Sequence, residues 1–166
     1  MLIGDGNARR RLILFEDPQC PYCRQFEEAS GDTLRREVAK GGVAVEYRMR
    51  CFLGDESVRA DNALALAAEL DRFDELRREL FANQPAENSG GFTIADLTDL
   101  GGRTGLTSPD YVIGLREGRY EAWAVEIDQS FQKQDPQGTP AALLDGLRVN
   151  PQSLFDPEAL EALLRP

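Results

Sequence analysis

The sequence has no histidine and only three cysteines among its 166 residues. A structural zinc site normally takes four ligands from cysteine and histidine, and this chain cannot supply four. We therefore expect no metal site. The chemistry of the cysteines themselves then becomes the main candidate for a function.

Positive charge and long apolar runs are also scarce. The 19 Lys and Arg residues are outnumbered by 29 Asp and Glu residues, and the net charge of −10 disfavours binding to nucleic acid, whose phosphates repel such a surface. No apolar run approaches the roughly 18 residues that a membrane-spanning helix needs. Residues 1–4 do not have the pattern of a signal peptide. We expect a globular protein that is either cytosolic or has lost a targeting segment.

Cys20 and Cys23 are spaced as a pair at the start of a predicted helix. The apolar residues 12–15 predict a strand that ends at Asp17 and Pro18, because proline removes a strand hydrogen-bond donor. Pro21 suits the first position of a helix. Cys20 then becomes the N-cap residue, and Cys23 lies one turn into the helix.

A thiol at this position is favoured as a nucleophile. The unpaired N–H groups and the positive end of the helix dipole stabilise a thiolate, so we expect Cys20 to be exposed and to have a lowered pKa. Cys23 can resolve a mixed disulfide formed on Cys20. Pro21 and Tyr22 add no positive charge, which predicts an intermediate oxidant. An inert structural disulfide remains an alternative, although closing so short a loop stabilises a fold little.

The rest of the pattern predicts the order βαβ, helical insertion, ββα. The first helix runs towards Lys40 with a break at Gly31 and Asp32, after a loose lead-in over residues 1–10. Alternation over residues 43–48 predicts a second strand, and a strand, helix and strand in sequence imply a right-handed parallel unit. Residues 145–146 predict a hairpin turn, and residues 156–164 a closing helix.

Residues 55–134 predict helices. Asp71 is a predicted N-cap, and Thr93 with Asp96 resembles a capping box. An aromatic and aliphatic stripe recurs at helical spacing and is expected in the core: Tyr120, Trp123, Ile127 and Phe131. Cys51 is predicted to be a buried free thiol, with a resolving or metal-binding role as the alternative.

These features resemble the DsbA-like family of thiol–disulfide oxidoreductases, which have a thioredoxin fold with a helical insertion. The resemblance is strongest at Phe15 to Cys23 and at Gly138 to Pro140, which is followed by an apolar strand. It implies an α/β protein with a thioredoxin-like domain over residues 1–54 and 135–166. Residues 55–134 would form an inserted all-helical subdomain.

The resemblance also implies a substrate-binding surface. The peptide bond before Pro140 would be cis and lie beside the active-site cysteines, and the backbone of Thr139 would pair with an extended substrate peptide. Pro21 and Tyr22 complete the predicted substrate-binding residues.

One position departs from the thioredoxin pattern. Many such proteins carry a buried acid six residues before the nucleophile, where it helps to move the proton of the second thiol, and this chain has Leu14 there. Glu16 and Glu46 are the candidate proton relays in its place. A solvated or ion-paired surface role is the alternative for both.

The resemblance implies a disulfide donor that would oxidise cysteine pairs in client proteins and use no cofactor beyond its own Cys20–Cys23 disulfide. A quinone-linked membrane protein would reoxidise it. We expect a monomer in an extracytoplasmic location, periplasmic, in the cell wall or membrane-anchored, with a cytoplasmic location as the alternative. Two other functions remain open: a reductase or isomerase, and a non-catalytic binding module that uses the same groove.

Overall fold

The structure is a computed structural model and describes residues 1–133 and 138–165. It divides into two units. The first contains residues 1–16 and 22–48 together with the described residues from 138 onward, and the second contains residues 17–21 and 49–133. The predicted domain boundary between residues 134 and 135 lies outside the described residues.

The first unit is built on a five-stranded sheet of order β1-β3-β2-β4-β5. Its strands are β1 (Leu2–Ile3), β2 (Arg10–Glu16), β3 (Val43–Met49), β4 (Ala141–Leu144) and β5 (Leu147–Arg148). Strands β2 and β4 are antiparallel, with Leu12 opposite Leu144 and Phe15 opposite Ala141. The buried side chains of Leu12, Leu14 and Phe15 form part of the core. The predicted α/β class is confirmed.

The hairpin between β4 and β5 is confirmed as well. Asp145 and Gly146 connect the two strands with φ values of 51° and 84°. Positive φ at both central residues is the geometry that the right-handed twist of a two-residue hairpin requires, and glycine adopts it without strain.

The predicted loose lead-in at the N-terminus is wrong in part. Leu2 and Ile3 form β1, which pairs antiparallel with β3 and places Ile3 opposite Val45. The ammonium group of Met1 donates a hydrogen bond to the carbonyl of Tyr47 at 2.8 Å. Pairing with the edge of β3 and the apolar side chains of Leu2 and Ile3 therefore favour a strand, despite the glycines that follow.

The helices of the first unit are α1 (Pro21–Ala39), α7 (Pro151–Leu154) and α8 (Pro157–Leu164). Helix α1 is continuous, so the predicted break at Gly31 and Asp32 is wrong. A Cβ at Gly31 would lie 2.6 Å from the carboxylate of Glu27. Arg35 forms ion pairs with Glu27 at 2.5 Å and with Asp32 at 2.7 Å. Gly31 thus allows close packing within the helix, and the ion pairs span the turn where a break was predicted.

The second unit contains α2 (Asp55–Glu69), α3 (Phe73–Ala82), α4 (Ile94–Arg103), α5 (Pro109–Glu117) and α6 (Glu121–Gln132). The capping box at Thr93 and Asp96 is confirmed. Asp71 is not an N-cap: the cap position of α3 is Arg72, and Asp71 has a φ of 55°. Asp71 therefore forms the turn between α2 and α3.

Helix α6 differs from the prediction in the face that it buries. Ala124 and Asp128 are its buried residues, whereas Trp123 is 51% exposed and packs edge-on against the ring of Tyr120 at 6.2 Å. Positions 124 and 128 are four apart and share one face, so Trp123 is turned away from it. Within the described ranges, no helix is both long enough and apolar enough to cross a membrane.

Candidate active site

The cysteine pair lies where β2 leads into α1. Strand β2 ends at Glu16, α1 begins at Pro21, and Cys23 lies within the first turn of the helix. The amide of Cys20 donates a hydrogen bond to the carbonyl of Asp17 at 2.9 Å, which closes a tight turn ahead of the helix. The three cysteines are not joined by disulfides in the structure. The thiol of Cys20 thus belongs to the residue that directly precedes the helix.

Cys20 is less accessible than the sequence predicts. Only 6% of its surface is exposed, and Cys23 has no exposed surface. The neighbouring Tyr22 is 60% exposed, and Pro21 is exposed too. Burial of a thiol opposes ionisation, whereas a helix N-terminus favours it, so these two effects act in opposite directions at Cys20.

Asp17 is a buried acid three residues before the nucleophile. One carboxylate oxygen, Oδ1, accepts hydrogen bonds from the amide of Gln19 at 2.9 Å and from the hydroxyl of Ser57 at 2.6 Å. The other, Oδ2, accepts from the amide of Leu53 at 3.3 Å. Burial, with a smaller contribution from negative charge on Cys20, raises the pKa of Asp17 to about 6, and the hydrogen bonds offset this effect only in part. Asp17 can therefore exchange a proton near neutral pH.

The two predicted proton relays have different surroundings. Glu16 is fully buried at the end of β2. Partial burial by itself would raise the pKa of Glu46, but hydrogen bonds from Arg48 and Arg11 hold that pKa below its usual range. These contacts favour the charged carboxylate and make Glu46 a weak proton acceptor. The relay role of both residues stays a prediction.

Sequence reasoning missed Asp17 because the Asp-Pro pair was interpreted as the end of a strand. Its burial depends on residues 53 and 57, more than 35 positions later in the chain. The available signal was an acid close to the cysteine motif. Its position, three residues before Cys20, differs from the position six residues before it at which a buried acid was sought.

Side chains distant in sequence hold the backbone just before Cys20. Gln19 is 1% exposed, and its Nε2 donates to the carbonyl of Leu53 at 3.3 Å and to the hydroxyl of Ser57 at 3.1 Å. Its Oε1 accepts from the amide of Asn88 at 3.0 Å.

Gln84 donates to the carbonyls of Pro18 at 2.8 Å and Cys20 at 3.0 Å. No local pattern in the sequence predicts a role for Gln19, Asn88 or Gln84.

Cys51 is poorly suited to this chemistry. It is 7% exposed, which confirms the prediction of a buried free thiol. Burial raises the pKa of Cys51 to about 12, and the charges of Asp61, Asp128 and Asp17 act in the same direction. Because the thiolate is the reactive form, Cys51 is a poor candidate for a resolving thiol.

Two buried acids lie near Cys51. Asp128 forms an ion pair with Arg50, and both side chains are 6% exposed. Burial raises the pKa of Asp61 well above its ordinary value, and the nearby Asp17 and Asp128 add to this effect. These effects favour the protonated form of Asp61.

The bond between Thr139 and Pro140 is cis, as the resemblance implies. Pro140 is buried, Thr139 is half-buried, and the next residue, Ala141, pairs with Phe15 of β2. Pro140 therefore lies at the end of the sheet from which the chain continues into the cysteine motif. Their contact with a substrate stays a prediction. Among the residues that the structure describes, no group of three or more acidic, cysteine or histidine side chains is arranged to hold a metal.

The family described as thioredoxin matches residues 1–165 of this chain. A search of curated proteins found no match. Solved structures with the same fold include BdbD from Bacillus subtilis in its oxidised form, with 21% sequence identity and a TM-score of 0.86. That match covers 98% of this chain and 89% of BdbD.

Two further structures are similar over most of their length. The reduced form of the disulfide bond oxidoreductase DsbG from Mycobacterium tuberculosis has 23% identity and a TM-score of 0.83, covering 98% of this chain and 84% of DsbG. DsbA from Chlamydia trachomatis has 19% identity and a TM-score of 0.82, covering 99% of this chain and 90% of DsbA. The predicted thioredoxin-like fold of DsbA type is confirmed.

Proposed function

Since the chain belongs to the thioredoxin family, we propose that it is a thiol–disulfide oxidoreductase whose Cys20–Cys23 disulfide oxidises pairs of cysteines in client proteins. The observation that carries this proposal is the position of Cys20, directly before the first residue of α1, with Cys23 in the first turn. The similar structures described as DsbA and as disulfide bond oxidoreductase DsbG support the same class of reaction.

The reaction is a pair of thiol–disulfide exchanges. A client thiolate attacks Sγ of Cys20, the Cys20–Cys23 bond breaks, and Cys23 leaves as a thiolate that takes up a proton. A second client thiolate then attacks the client sulfur of the mixed disulfide and releases Cys20 as a thiolate. The client loses two electrons and gains a disulfide, and the Cys20–Cys23 pair gains the two electrons.

The position of Cys20 favours the donor direction. Backbone N–H groups at the start of α1 stabilise the departing Cys20 thiolate, and a stabilised thiolate makes the reduced form more favourable and the disulfide more oxidising. Pro21 and Tyr22 add no positive charge, so we infer an intermediate oxidant. The reaction uses no cofactor other than the cysteine pair.

The cellular setting is inferred from the same resemblance. A disulfide donor is useful where protein disulfides persist, so we place the protein outside the cytoplasm. Each turnover leaves the Cys20–Cys23 pair reduced. A membrane protein linked to quinones would reoxidise it, and we infer that the chain acts as a monomer.

Trapping the mixed disulfide tests this function. Cys23→Ser is incubated with a reduced, unfolded client protein and an oxidant, and the adduct is located by mass spectrometry. The expected adduct joins the client to Cys20, and Cys20→Ser yields none. Cys51→Ser is the matched control and should behave as the wild type. An adduct through Cys51, or no adduct in Cys23→Ser, would contradict the proposal.

A further inference from the structure

The loop after α3 holds the backbone on both sides of Gln19. Gln84, the second residue after that helix, donates its two amide hydrogens to the carbonyl of Pro18 at 2.8 Å and to the carbonyl of Cys20 at 3.0 Å. A glutamine side chain has two N–H donors, so these bonds use both of them. We call Gln84 and these two carbonyls the carbonyl clamp.

The same loop also contacts the residue between the two carbonyls. The amide of Asn88 donates to Oε1 of Gln19 at 3.0 Å, and the rest of the Gln19 amide is bound to Leu53 and Ser57. Three consecutive residues ahead of α1 are thus fixed from the helical part of the chain. The turn has its own hydrogen bond as well, from the amide of Cys20 to Asp17.

The carbonyl clamp can affect the reactivity of Cys20 because the backbone of Cys20 positions its thiol. Cys20 directly precedes α1, so its backbone orientation determines how its thiol meets the first N–H groups of that helix. Its own carbonyl and that of Pro18 carry partial negative charge, which disfavours a nearby thiolate. The N–H donor on each carbonyl brings a partial positive charge that offsets part of this repulsion.

We propose that Gln84 is a positioning residue for thiol–disulfide exchange: it fixes the backbone at Cys20 so that the helix N-terminus stabilises the Cys20 thiolate. The biological relevance of this role rests on the proposed function. The experiment that tests the role does not, because ionisation of Cys20 is measurable whether or not the protein donates disulfides to clients.

Gln84→Leu removes both donors and keeps a similar side-chain size. The measurement is the pH dependence of Cys20 alkylation by iodoacetamide in the reduced protein, with the labelled site identified by mass spectrometry. We expect the Cys20 thiolate to titrate at higher pH, with about two- to tenfold less thiolate at pH 7, since one pKa unit is a factor of ten. The rate of exchange with oxidised glutathione at pH 7 should fall in parallel.

Gln84→Glu tests the same role independently, through the pH dependence of the exchange rate. Its carboxylate cannot donate at neutral pH and repels a thiolate, whereas a carboxyl protonated below about pH 4 regains one donor. We expect the loss of exchange rate relative to wild type to be large at pH 7 and to shrink at pH 4. A loss of equal size at both pH values would contradict the proposal. This variant also decides the matter if Gln84→Leu fails to fold.

Asn83→Leu is the matched control, because Asn83 is the preceding residue and its amide donates to Glu79. It should leave the titration of Cys20 unchanged. The proposal is overturned if Gln84→Leu folds and shows the wild-type Cys20 titration and exchange rate, since Gln84 would then only stabilise the loop. Failure of the proposed function looks different: wild type and variants alike would show no reversible exchange.

Discussion

Asp17 makes stability depend on pH, and Asp17→Asn should remove that dependence. The pKa of Asp17 is raised by burial from 3.8 to about 6. Folding therefore favours the protonated carboxyl. The stabilisation is fully present below the unfolded pKa of 3.8 and is lost as the pH rises through about 6.

The size of the effect follows from the two pKa values. A difference of about two pKa units, at 1.36 kcal/mol each, corresponds to about 3 kcal/mol of unfolding free energy lost between pH 4 and pH 8. The asparagine side chain of the variant cannot ionise, so this loss is absent there. In the wild type, Oδ2 of Asp17 accepts a hydrogen bond from the amide of Leu53. In the variant an NH2 group takes the place of Oδ2, and this bond is lost. We expect the loss to lower the unfolding free energy by about 1 kcal/mol at every pH.

The assay is urea unfolding of the reduced wild type and Asp17→Asn at pH 4, 6 and 8. We expect the variant to be less stable than wild type at pH 4 and more stable at pH 8, with a change of about 3 kcal/mol in the difference. The charge of Asp17 also raises the pKa of Asp61. Asp17→Asn therefore lowers the pKa of Asp61 as well, which changes the stability difference in the same direction with pH. A difference that stays constant with pH would refute the reasoning.

Asp145→Asn is a control of opposite sign. A hydrogen bond from the backbone of Arg11, together with the side chain of Arg10, holds the pKa of Asp145 below its ordinary value despite slight burial. Asp145 therefore stabilises the fold above its unfolded pKa, and this contribution is lost as the pH falls. Relative to wild type, Asp145→Asn should be least stable at pH 8.

Three more predictions concern buried groups of the second unit. Asp17→Asn removes a negative charge near Cys20, so absorbance at 240 nm should show the Cys20 thiolate forming at lower pH; an unchanged titration would count against the coupling. Cys51 should be labelled more slowly than Cys20 when native reduced protein is treated with iodoacetamide, because burial raises its pKa to about 12, and labelling as fast as Cys20 would contradict its inert role. Tyr111→Phe should lower the unfolding free energy by about 1–2 kcal/mol, since the buried hydroxyl donates to the carbonyl of Leu97 at 3.1 Å; thermal unfolding at the wild-type temperature would contradict this.

Local signals predicted much of the fold. Three of these signals each involve only a few neighbouring residues: the alternation over residues 43–48, the turn at Asp145 and Gly146, and the capping box at Thr93. The structure contains all three predicted elements. The break at Gly31 failed because a glycine can also serve close packing. Trp123 was assigned to the core by its spacing, but spacing alone does not say which side of a helix faces the other helices.

The cysteine motif was predictable, whereas the residues around it were not. The spacing of Cys20 and Cys23 and the helix that follows indicate their chemistry. The burial of Asp17 depends on Ser57, and the clamp depends on Gln84 in a loop more than 60 residues away. Contacts between distant segments leave no periodic or local pattern in a single sequence, so neither role was visible there.

The central claim is that the Cys20–Cys23 disulfide is a donor. Its most direct test is the equilibrium reduction potential of the pair in glutathione buffers, read by mass-resolved alkylation so that Cys51 is counted separately. We predict a value above about −180 mV, at which the disulfide oxidises most client thiols. A value near −270 mV would instead favour a reductase, and the absence of reversible exchange would contradict the catalytic account altogether.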